Sequence, residues 1–124
     1  MSMDEIVGRR YPCRLNRVID GDTLVLDVDL GFRVTRAVTV RLVGIDAPEV
    51  RSSNEGEKAR GLAATAHAEE IIKLGTGKWP LELRSSKGKS FDRWLGRVSV
   101  RSDAGIFDLG SQMVADGHAV RRSH

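Results

Sequence analysis

Three short stretches hold residue types able to act together on a phosphate ester. The first, Asp20-Gly21-Asp22-Thr23, sets two carboxylates on either side of a glycine, although Asp-Gly is also a common hairpin turn. The second runs Arg41-Leu42-Val43-Gly44-Ile45-Asp46-Ala47-Pro48-Glu49 and places an arginine, two carboxylates and a proline at the exit of an apolar run. Asp46 and Glu49 beside Pro48 would equally suit the capping of a turn or a helix start. The third, Phe91-Asp92-Arg93-Trp94-Leu95-Gly96-Arg97, follows a basic lip, Arg84-Ser85-Ser86-Lys87-Gly88-Lys89. Lys87 and Lys89 are candidates there for contact with a phosphate backbone, though such lips are commonly just solvated.

Taken together, these are the parts of a phosphodiesterase. Oxygen donors without a cysteine or histidine cluster select a hard cation such as Ca²⁺ or Mg²⁺, and Asp22 and Asp46 form a carboxylate pair able to hold one while leaving positions for water. Zinc is disfavoured, because His67, His118 and His124 have no companions at ligand spacing and read as ordinary surface or half-buried residues. Arg41 and Arg93 are the candidates for neutralising a phosphoryl group, since a planar guanidinium binds two oxygens at once.

Alternation of apolar and polar residues predicts the strands that must carry these groups. Residues 11–19 form a first strand. Thr23 to Leu30 form a second, with Leu24, Leu26, Val28 and Leu30 on one face and Val25, Asp27 and Asp29 on the other. After Gly31, Val34 to Ile45 is again of period two, which leaves Arg41 alone among apolar or neutral neighbours on its face. Ser52 to Gly56 reads as a polar loop and Glu57 to Leu74 as a helix, with Ala64, Ala68, Ile71 and Ile72 at helical spacing and Gly75 as its stop. Leu81 and Leu83 mark a fourth strand, Trp94 to Val100 a fifth, and Leu109 to Asp116 a terminal helix ended by Gly117. Three strands, a helix and two more strands is the order of an OB-fold five-stranded β-barrel, a mainly β fold with helices (α+β).

The chain has 124 residues, 20 Lys+Arg against 17 Asp+Glu, and a formal charge of +3. That length suits one domain able to bury roughly two-thirds of its unfolded surface. We expect a flexible segment over residues 1–10, the domain over 11–120 and a tail over 121–124. The basic surplus falls in residues 83–124, with 8 basic against 4 acidic side chains. Only 5% of residues are aromatic, which argues against a surface tiled with base-stacking platforms. Cys13 is the single cysteine, so no intrachain disulfide exists. With no apolar run of membrane length and no basic flank followed by an apolar core at the start, the expectation is a cytoplasmic protein without a membrane partner.

In these motifs and their order the sequence resembles the staphylococcal nuclease-like (thermonuclease) family, from about Arg14 to Val120. The spacing of Arg41, Asp46 and Glu49 is its most specific part, and Val114 to Val120 looks like the family's terminal helix with its glycine stop. The resemblance implies an OB barrel and a Ca²⁺-dependent nuclease cleaving DNA and RNA on the 5′-oxygen side to leave 3′-phosphate ends; no protein partner is inferred, and a monomer is expected. Asp22 and Asp46 would ligate the metal by carboxylate and Ala47 by its carbonyl. Glu49 would orient or deprotonate the attacking water, and Arg41 and Arg93 would neutralise the phosphate, with Lys87, Lys89 and Phe91 as substrate contacts. Ala47 stands where the family's type protein has threonine, Phe91 where tyrosine is usual, and Asp92 replaces a common glycine. An alignment through Gly96-Arg97 would make Arg97 the second arginine. The rival from another class is a non-catalytic OB module that binds nucleic acid or a protein partner.

Overall fold

A computed structural model describes residues 9–86 and 94–122. β1 (Arg10–Asp20) and β2 (Thr23–Asp29) form an antiparallel hairpin, and β3 (Thr35–Leu42) continues the meander with Arg41 opposite Thr23. The chain then makes the two-residue strand β4 (Ile45–Asp46) and helix α1 (Glu55–Ile72). β5 (Leu81–Ser86) pairs with β1, and β6 (Trp94–Ser102) pairs with β5. The sheet closes because β6 also runs parallel to β3, with Leu95 opposite Arg41. The result is the expected closed five-stranded barrel of OB type with two helices.

Three short strands were not legible in the residue pattern. β7 (Gly105–Asp108) adds an edge to β6 and leads into helix α2 (Leu109–Ala115), while β8 (Val120–Arg121) pairs with β4. Of the segment expected to be a tail, the described residues Arg121 and Arg122 are tied to the β4 region: Arg121 lies opposite Ile45, and the Arg122 N–H donates to Gly44 O at 2.9 Å.

Alternation does direct side chains inward. Leu24, Leu26, Val28, Val40, Leu42, Leu81, Leu83, Val98 and Val100 fill the barrel, and Ala64, Ala68, Ile71 and Ile72 of α1 pack against it with Leu109 and Met113 of α2. Leu30 and Val34 depart from their expected strand positions. Both are exposed at the ends of a turn in which Gly31, Phe32 and Arg33 all have positive φ. Helix α1 starts two residues early because the Asn54 side chain accepts from the Glu57 N–H at 2.9 Å, an N-cap that the polar-loop reading passed over. Nor does Gly75 supply a left-handed stop: a Cβ there would lie 2.7 Å from the Cβ of Pro80, so its role is close approach. Gly117 does end α2 in that way, at φ 82°, with His118 N–H donating to Met113 O and Gly117 N–H to Val114 O.

His67 and His118 are paired with each other across the helices. Their rings stack with centroids 4.3 Å apart, and His67 Nε2 lies 2.7 Å from Asp116 Oδ2, joining α1 to the end of α2. Hydrogen bonding to His67 is the main reason the Asp116 carboxyl sits below its ordinary pKa. Among the described residues no helix is long and apolar enough to cross a membrane.

Cys13 is fully buried on β1, and burial pushes its thiol pKa up to about 12. Because the thiolate is the reactive form, Cys13 is expected to resist an aromatic disulfide reagent in the native protein at mildly alkaline pH and to react fully in guanidinium. Rapid native labelling, followed by absorbance, would contradict that burial.

Candidate active site

The β1–β2 turn brings the first carboxylates to one mouth of the barrel. Gly21 serves a different purpose from the backbone freedom of a tight turn: a Cβ there would lie 3.0 Å from the Cβ atoms of Ala47 and Ala64 and 3.1 Å from Met113 Cε, so glycine lets the turn press against the helices. Asp22 is consequently only 6% exposed. Its Oδ1 accepts from Thr23 Oγ1 at 2.9 Å and its Oδ2 from the Ala47 N–H at 2.8 Å, while its carbonyl accepts from the Leu42 N–H at 2.8 Å. These bonds satisfy a buried carboxylate and fasten the Asp46–Ala47 segment to the turn.

Arg41 sits on the facing strand with a side chain 15% exposed. One terminal nitrogen, Nη1, donates to the carbonyls of Leu42 at 3.1 Å and Ile45 at 2.8 Å and lies 3.3 Å from Asp22 Oδ2. The other, Nη2, holds Asp46 Oδ1, and the second oxygen of Asp46 accepts from Arg122. Burial alone would raise the Asp46 pKa, but hydrogen bonds from Arg122 and Arg41 outweigh it and hold the carboxyl below its usual range. The same pair raises the pKa of Arg122.

Glu49 stands on the loop after β4, exposed to solvent at the rim of the same cleft. Two contacts fix its backbone. Asp20 Oδ1 accepts from the Val50 N–H at 2.9 Å, and the loop lies so close to α1 that a Cβ on Gly61 would be 2.7 Å from Glu49 C and O. Further along, Ser52 Oγ donates to Glu57 Oε2 at 2.7 Å, which ties the loop to the first turn of α1.

The cleft has a volume of about 420 Å³ and is lined by Asp20, Asp22, Thr23, Arg41, Asp46, Ala47, Glu49, Glu57 and Arg122. A larger depression, about 530 Å³, shares Asp46, Ala47 and Glu57 with it and continues along Arg60, Ala63 and His118. Five of the sequence candidates, Asp22, Arg41, Asp46, Ala47 and Glu49, thus meet in one place. Lys87, Lys89, Phe91 and Arg93 lie outside the described residues. Arg97 is exposed on β6 opposite Arg84 and is not among the described residues that line the cleft.

Asp20, Glu57, Gly61 and Arg122 carry parts of this geometry to which residue types alone assigned no role. The Asn54-to-Glu57 capping spacing was a readable signal for Glu57. Arg122 had none, since its partner lies 76 residues away.

The lining has five carboxylates against two guanidinium groups and only oxygen donors, a chemistry that fits a hard divalent cation retaining several waters. Among the described residues, however, no three His, Cys, Asp or Glu side chains already converge as a metal cage. Arg41 and Arg122 supply the positive charge at Asp46.

Comparison with curated proteins finds no match. A family model described as staphylococcal nuclease homologue matches residues 39–124, a span that includes Arg41, Asp46, Ala47 and Glu49 and covers more than half of the chain. The closed barrel and a match over more than half of the chain mean that the chain belongs to the staphylococcal nuclease homologue family.

Proposed function

We propose that this protein is a Ca²⁺-dependent nuclease that hydrolyses phosphodiester bonds of DNA and RNA and leaves 3′-phosphate ends. The observation supporting this most strongly is the gathering of Asp22, Arg41, Asp46 and Glu49 around one cleft, although the turn, strand and loop that carry them are separate elements. The Asp22 and Asp46 carboxylates and the Ala47 carbonyl would hold the ion. Bound there, it would polarise a phosphoryl oxygen.

The protein's own groups then have distinct tasks. Water attacks phosphorus as the bond to the 5′-oxygen breaks, so negative charge grows on the equatorial and leaving oxygens. Arg41 opposes that charge from a position fixed by two carbonyls, which avoids reorganisation during the reaction. Glu49 orients the water or takes its proton, and the departing 5′-oxygen takes a proton from solvent to become a hydroxyl. The exposed Glu49 carboxylate would reach substrate from a loop whose backbone is held by Asp20. Arg93 would be the second phosphate arginine, as the resemblance implies, with Lys87, Lys89 and Phe91 as contacts to the rest of the strand.

The experiment is a metal titration of cleavage at fixed salt, because phosphate contacts weaken steeply as salt rises. Single-stranded DNA should be cut in Ca²⁺, and chelation should abolish the cutting. Intact DNA after prolonged incubation with Ca²⁺, Mg²⁺ and Mn²⁺ in turn would leave the binding-module reading in its place.

A further inference from the structure

Both oxygens of Asp46 are engaged by arginines, but the two arginines are held very differently. Arg41 is largely buried and keeps the Leu42 and Ile45 carbonyls and Asp22 as further partners. Arg122 has a side chain 65% exposed, and among the described residues Asp46 is its side-chain partner. Its backbone, by contrast, is fixed, because β8 pairs with β4 and the Arg122 N–H donates to Gly44 O. The guanidinium is therefore kept beside the cleft whether or not it holds the carboxylate.

A divalent cation that takes Asp46 must compete with these guanidinium groups, and the singly held, exposed one yields more easily. Once released, it remains anchored at the cleft rim, where a substrate phosphate arrives. We infer that Arg122 is a substrate-binding residue with two partners: it is the internal counter-ion of Asp46 before cation binding, and its guanidinium passes to a phosphate oxygen of the nucleic acid once a divalent cation occupies that carboxylate. This rests on the nuclease reading and adds a coupling to it. By linkage, the cation should strengthen phosphate binding and phosphate should strengthen cation binding, each by the same factor.

The test uses the full chain and begins with Ca²⁺ alone, followed by titration calorimetry in the absence of nucleic acid. Arg122→Gln removes an exposed ion pair, so its Ca²⁺ affinity should rise about threefold. At saturating Ca²⁺, the same variant should raise KM for single-stranded DNA about tenfold, with a smaller change in kcat, because a charge-assisted phosphate contact is lost. Arg122→Lys, which keeps the charge, should fall between wild type and Arg122→Gln in both measurements. Unchanged Ca²⁺ affinity or an unchanged KM in Arg122→Gln would overturn the inference while leaving the nuclease reading intact. A wild-type protein that binds no Ca²⁺ and cuts no DNA would overturn both.

Discussion

Arg41→Lys is expected to slow Ca²⁺-dependent cleavage of single-stranded DNA roughly a hundredfold, equivalent to about 3 kcal/mol in the barrier. The reason lies in the shape of the group. Two terminal nitrogens of one planar fork meet the Leu42 and Ile45 carbonyls and the Asp22 and Asp46 carboxylates. Lysine presents a single ammonium on a flexible stem, which can neutralise one carboxylate but cannot occupy all four directions together. It therefore keeps the charge and loses the alignment toward phosphate. Stability should fall by only about 1–2 kcal/mol, since the lost hydrogen bonds are partly replaced and no buried carboxylate is left uncompensated. Cleavage rates measured alongside a denaturant midpoint separate these effects. A lysine variant that stays folded and keeps its full cleavage rate would mean that Arg41 acts as charge alone, and one that still binds DNA equally well in a protein without activity would favour a binding module.

Physical range explains which features could be read from the residues. Strand positions such as Leu24, Leu26 and Val40 were legible because burial on one face imposes a period of two within a few residues. The same rule failed at Leu30 and Val34, where the left-handed backbone of Phe32 and Arg33 ends the pleat before the apolar pattern stops. Arg41, Asp46 and Glu49 stood out because charged groups follow an apolar strand at close spacing. By contrast, the Arg122–Asp46 contact depends on β8 returning to β4, and two-residue strands leave almost no periodic trace. Close approach at glycines was hidden for a related reason. Gly21 does lie in the β1–β2 turn and Gly61 within α1, but what packs against each of them in space is not written in the neighbouring residues.

Gly61→Ala makes the last point measurable. In the middle of an isolated helix, alanine is better than glycine by about 1 kcal/mol, so helix propensity alone predicts a more stable protein. Here the added Cβ would lie 2.7 Å from Glu49 C and O and 2.8 Å from Val50 N, all backbone atoms with no rotamer to escape into. Overpacking of this kind costs about 1–3 kcal/mol, which reverses the sign. Helix α1 is anchored through buried Ala64, Ala68, Ile71 and Ile72, so the loop is the part that moves, pulling the Val50 N–H from Asp20 Oδ1 and carrying Glu49 with it. A displacement of about 1 Å at a group that positions the attacking water is worth roughly a hundredfold in rate. The variant should therefore melt at a lower temperature and cleave DNA about a hundredfold more slowly, with both deficits arising from one methyl group set against the loop backbone. A raised melting temperature with an unchanged cleavage rate would show that propensity outweighs the contact and that Glu49 does not depend on the helix for its placement.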